Sequence, residues 1–80
     1  MDIEVVDFTL HVRDKVEDER LQELERGVHA LEGVVSTHRS DEHPQLMLVA
    51  INRGRTTSAD VLEYLARQGV QADLYVPEHI

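Results

Sequence analysis

Eighty residues make one small domain, with 16 acidic side chains against 8 basic ones and a formal charge of −8 at neutral pH. Cysteine is absent, which excludes disulfide staples, thiolate metal sites, cysteine nucleophiles and iron–sulfur clusters. The negative charge counts against binding nucleic acid or anionic membranes through charge alone. The acidic start Met1-Asp2-Ile3-Glu4, with no basic or long apolar run, sets the expectation of a soluble, cytoplasmic chain without a signal peptide or membrane span.

Residues 5–13 alternate, with Phe8, Leu10 and Val12 against Thr9, His11 and Arg13. Period two predicts a half-buried strand. Asp14-Lys15-Val16-Glu17 has the spacing of a capping box. A helix is expected from there to about Leu31, with Leu21, Leu24, Val28 and Leu31 as its buried stripe and charge elsewhere. Gly27 interrupts it, which suggests close approach to a neighbouring strand, and Gly33 reads as the glycine that ends it. A second strand runs from Val34 to about Arg39, with Val35 and Thr37 on one face and Ser36 and His38 on the other. A polar turn, Ser40 to Pro44, follows. Residues 46–51 are apolar without a break, as in a buried central strand. After the loop Asn52-Arg53-Gly54-Arg55, Thr57 to Asp60 form a second capping signal, and Val61, Leu62 and Leu65 form the stripe of a helix that Gly69 stops. Val70, Ala72, Leu74 and Val76 alternate in a last strand that Pro77 ends.

The order is β-α-β-β-α-β. Right-handed crossovers interleave two such units into a four-stranded antiparallel sheet, with the first and third strands central and both helices on one face. The expected fold is therefore α+β, ferredoxin-like, with the whole chain as one domain. This fold hosts many functions, so function must be argued from residues.

Leu21, Leu24, Val28, Leu31, Gly33 and Val34, with the Gly-Val-Gln-Ala-Asp-Leu of residues 69–74, make the chain resemble the heavy-metal-associated domain family. That family includes copper chaperones and the N-terminal modules of metal-transporting ATPases. The resemblance covers roughly residues 8–76. It implies a metal loop with Cys-x-x-Cys at the start of the first helix. Counted back from Gly33, those two positions fall on Glu17 and Arg20. Their side chains read as a surface ion pair. Arginine stays protonated and cannot ligate a metal, so the thiolate pair that selects Cu(I) or Zn(II) is missing.

Five histidines are many for this length, and imidazole both ligates metals and titrates near neutrality. His11 and His38 are expected on the open sheet face, about 9–10 Å apart if one strand lies between theirs. His38 and His43 flank the acidic turn with Asp41 and Glu42, an oxygen and nitrogen set for a divalent ion such as Ni(II), Zn(II) or Cu(II). His29 reads as a surface residue and His79 as part of a frayed end.

The unbroken apolar strand supplies the leading expectation. Alternation with Leu46, Leu48 and Ala50 toward the helices sends Met47, Val49 and Ile51 to the open face, bordered by Thr9, His11 and Tyr75. Burying three such aliphatic side chains is worth roughly 1.5–3 kcal/mol each. A partner surface is expected there, first for a second copy as a homodimer and otherwise for another protein.

Other chemistries are weaker. Arg53-Gly54-Arg55 lacks the spacing and lysine of a phosphate loop. The central strand lacks the aromatic residues that stack RNA bases. Paired carboxylates lie in polar stretches, and no serine stands in a nucleophile elbow. The expectation is no enzyme and no cofactor, with His11 the residue on which any catalytic role falls. The element order also resembles the ACT domains, which sense small ligands. Those carry a glycine after the first strand, where this chain has Asp14-Lys15-Val16.

Overall fold

Strands β1 (Val5–Val12), β2 (Val34–Arg39), β3 (Leu46–Asn52) and β4 (Ala72–Leu74) and helices α1 (Asp18–His29) and α2 (Ser58–Arg67) follow the order β-α-β-β-α-β. The computed structural model describes residues 4–76. The readings at Pro77 and His79 lie outside them. The sheet runs β2-β3-β1-β4 and is antiparallel throughout. This is the ferredoxin-like arrangement, with β1 and β3 at its centre.

The core identifies the inner face. Leu10 and Val12 of β1 pack in one buried cluster with Leu21, Leu24 and Val28 of α1 and Val61 and Leu65 of α2. Both helices therefore cover one side of the sheet. Continuous register from Val5↔Asn52 to His11↔Leu46 ties β3 to β1. Residues paired across antiparallel strands share a face, so Phe8 aligns Val49 inward and Leu10 aligns Met47 inward.

This phase is opposite to the expected one. Met47, Val49 and Ile51 are core residues, exposed by 1%, 0% and 2%. They are not an outward patch. The outward residues of β3 are Leu46, Leu48 and Ala50. The physical reason is that a strand apolar on both faces carries no phase of its own, and its pairing with β1 sets it.

The helix ends follow local chemistry, with two departures. Asp14 does not cap α1. Its carboxylate accepts from the Gln71 amide at 2.9 Å, while its carbonyl accepts from the Gln45 side chain at 2.7 Å. The N-cap is Glu17, whose side chain makes no capping bond. Gly33 does not end the helix either. Ala30 is the C-cap, and Gly33 lies in the following turn at φ +93°. There a Cβ falls 2.8 Å from Thr56 Cγ2. Gly27 faces the other helix rather than a strand. A Cβ at that position runs into the Tyr64 ring, 2.7 Å from its Cζ.

α2 matches its sequence signals. Thr57 accepts from the Asp60 amide and Asp60 accepts from the Thr57 amide, both at 3.2 Å. Gly69 closes the helix at φ +80° with two paired bonds, Gly69 N–H to Ala66 O and Val70 N–H to Leu65 O. The last strand is shorter than its alternation suggested. Only Ala72, Asp73 and Leu74 belong to β4, at the sheet edge, although the Tyr75 amide still donates to Thr9 O at 2.8 Å.

One polar lock joins α1 to the opposite edge. Arg39 donates to Glu25 at 3.3 Å and to Asp18 at 3.0 Å, and the Thr37 hydroxyl donates to Glu25 at 3.2 Å. The Asp18 hydrogen bond, with the Coulombic pull of both carboxylates, outweighs desolvation and raises the Arg39 guanidinium above its ordinary value. Its charge therefore persists at any working pH.

Candidate functional site

Two places carry the residues singled out from the sequence. The first is the stretch between β1 and α1. Glu17 stands at the N-cap position and Arg20 lies in the first turn of the helix. They form no ion pair with each other. Arg20 instead donates to Gln68 O at 3.1 Å and lies 4.0 Å from Glu23, so it braces the start of α1 against the end of α2. The two positions at which the resemblance implies thiolates hold a helix boundary and an interhelical brace.

The second place is the open face of the sheet. Strand pairing sets His38 opposite Leu48 and Leu48 opposite Thr9, and the Tyr75 amide reaches Thr9 O. His38, Leu48, Thr9 and Tyr75 therefore form one row across four chain segments. A second row sets His11 between Leu46 and Asp73. The His11 and Tyr75 rings meet edge-on, with centroids 6.5 Å apart and planes at 66°. Leu48 is 44% exposed and Tyr75 45%. Leu46, Ala50, Thr9 and His11 are half-buried.

The turn between β2 and β3 walls one end of this face. One shallow hollow is lined by His11, Glu42, His43, Leu46 and Tyr75, with Pro44 and Gln45. A neighbouring hollow is lined by Thr9, His38, Asp41, Glu42, Leu48 and Tyr75, with Ser40 and Leu46. His38 and His43 thus line different hollows that share Glu42. Among the described residues no three histidine or acidic side chains are grouped to hold a metal ion. His11 and His38 stand on β1 and β2 with β3 between them, in different rows, since His11 lies opposite Leu46 and His38 opposite Leu48. His29 is exposed on α1.

The expected interface residues therefore divide. Thr9, His11 and Tyr75 stand on the open face, while Met47, Val49 and Ile51 lie beneath the sheet. Leu46, Leu48 and Ala50, missed by sequence reasoning, take their place. The signal that finds them is the inward run Phe8, Leu10 and Val12, once β1 and β3 are paired in register.

Several of the charged side chains are already paired. Arg53 pairs with Glu4 and Arg55 with Glu32, so the Arg-Gly-Arg loop is committed to surface ion pairs. On the open face Arg13 pairs with Asp73 at 3.4 Å. Asp7, on the same face, and Asp41 and Glu42 in the turn have no cation partner among the described residues. Among those residues no buried side-chain nitrogen or oxygen lacks a hydrogen bond, and no helix is long and apolar enough to cross a membrane.

The fold has close structural counterparts. Oxidised MerP from Ralstonia metallidurans CH34 superposes with a TM-score of 0.79 at 15% identity, over 89% of this chain and 97% of its own. The copper form of a CopA variant from Bacillus subtilis gives 0.74 at 17% identity, over 90% and 93%. The copper(I)-loaded first domain of the human copper chaperone CCS gives 0.70 at 20% identity, over 89% and 93%. No protein-family model and no curated protein sequence matches the chain. The chain has the fold of the heavy-metal-associated domains and lacks their cysteine pair.

Proposed function

We propose that this heavy-metal-associated fold, emptied of thiolates, is a non-catalytic protein-association module whose partner surface is the open face of the sheet. The observation that carries the reading is the row His38–Leu48–Thr9–Tyr75. It holds an exposed leucine and an exposed tyrosine on a face that no described element covers. The loop supports it from the other side, because Glu17 marks the boundary of α1 and Arg20 braces it against the end of α2. Self-association through three aliphatic residues loses its support, since Met47, Val49 and Ile51 are buried. What remains for a partner is a smaller patch with an acidic margin.

A photo-crosslinking residue in place of Leu48, compared with one in place of Glu19 on the outer side of α1, tests the surface. Covalent protein adducts from position 48 and none from 19 are expected in cells that make the protein. Adducts from both positions alike, or from neither, refute the reading. Native mass spectrometry with a divalent-metal mixture provides the second arm. A stoichiometric metal adduct lost in His43→Ala moves the function to metal binding through His38, His43 and the acidic turn.

A further inference from the structure

We infer that the open face takes a basic protein segment, one that presents arginine next to aliphatic side chains, rather than a second copy of this chain. The inference rests on the association reading above and adds the chemistry of the partner. Its floor is apolar, from Leu46, Leu48 and Ala50, and its aromatic wall is Tyr75 held edge-on by His11.

Charge then selects the occupant. Among the described residues, five of the six arginines off this face lie beside carboxylates off this face, Arg26 being the exception, and Arg20 lies beside Glu23. Arg39 binds Asp18 and Glu25, Arg53 binds Glu4, Arg55 binds Glu32, and Arg67 binds Glu63. On the open face the arginine pair Arg13–Asp73 is already neutral. Asp7, Asp41 and Glu42 remain without cations among the described residues, on a chain of formal charge −8. A two-fold dimer through this face brings like charges together, and like-charge juxtaposition opposes association. A cationic segment meets a complementary potential instead.

The aromatic wall favours arginine within that class. A planar guanidinium stacks on an exposed ring while its edge donates to a carboxylate, whereas an ammonium acts as a point charge. Tyr75 and Glu42 line the same two hollows, so one arginine side chain can meet ring and carboxylate together. Aliphatic neighbours in the segment then cover Leu48.

The test is a heteronuclear NMR titration of the purified protein with two octapeptides, alternating Arg-Leu and alternating Glu-Leu. The basic peptide is expected to shift the amides of Thr9, His11, Leu48 and Tyr75, and to bind at least about tenfold tighter than the acidic one at low salt. That preference is expected to shrink as ionic strength rises and screens the charges. Asp41→Asn with Glu42→Gln is expected to weaken binding about threefold or more. Glu19→Gln with Glu23→Gln, which removes the same formal charge from α1, is expected to change it less than twofold. Equal weakening by both pairs reduces the effect to bulk charge and overturns the inference. Shifts confined to another surface overturn it too. So does a dimer that Leu48→Asp dissolves. Crosslinking from position 48 without preference for the basic peptide overturns the charge assignment and leaves the association reading standing. Failure at position 48 removes both.

Discussion

Leu48 and Val49 are chain neighbours with opposite fates. Val49 lies under both helices with no exposure, while Leu48 faces solvent on the other side of the same strand. The strand is equally apolar on both sides, but only the helix side is filled by packing partners. Hydrophobicity alone therefore does not mark the core here. The inner face is the one that β1 presents to α1 and α2, and the outer face of β3 keeps apolar side chains that the fold does not require.

The sharpest way to break the comparison is to place a carboxylate on each side. Val49→Asp leaves an unpaired charge in the core and is expected to cost more than about 4 kcal/mol. That is comparable with the whole stability of a domain this size, so the far-UV circular dichroism of the folded state is expected to disappear. Leu48→Asp is expected to cost less than about 1 kcal/mol in urea denaturation. Similar losses for both refute the assignment of faces.

A smaller contrast separates two turn glycines. Both take positive φ, but Gly33 sits against Thr56 and Gly69 faces open space. Gly33→Ala is expected to cost about 2–3 kcal/mol, from left-handed strain and displacement of Thr56. Gly69→Ala carries the strain alone, about 1 kcal/mol. Denaturation midpoints of the two variants measure the difference.

The smallest contrast concerns the helix caps. Thr57→Ala removes one half of a reciprocal cap and is expected to cost about 1 kcal/mol. Glu17→Ala removes no capping bond and is expected to stay within about 0.5 kcal/mol. Thermal unfolding resolves the pair. An equal loss at Glu17 means that its side chain has a capping role absent from the structure.

Where the sequence was informative, the signal was local and chemically specific. The Thr57–Asp60 spacing marks the start of α2, Gly69 marks its end, and the alternation of Phe8, Leu10 and Val12 marks the inner face of β1. Where it misled, the deciding contact was distant in sequence. Asp14 has capping spacing, yet it is drawn to the Gln71 amide 57 residues away. The phase of β3 depends on β1, some 40 positions earlier. The open-face site was half legible for the same reason. Thr9, His11 and Tyr75 follow from strands with their own alternation, while Leu46 and Leu48 need the register.

The stitching around Asp14 also bears on motion. The Val12 amide donates to Gln45 O at 2.9 Å and the Arg13 amide to Gln71 O at 2.8 Å. Together with the two bonds to Asp14, they fasten the segment after β1 to the lead-ins of both β3 and β4. Local opening of this segment must break bonds on two sides at once, which ties the Val12 and Arg13 amides to both neighbouring strands. A loop that had to open to release a cargo would be kept loose. In this chain the same stretch is a seam, and the Val12 and Arg13 amides that close it are expected to exchange their hydrogens slowly.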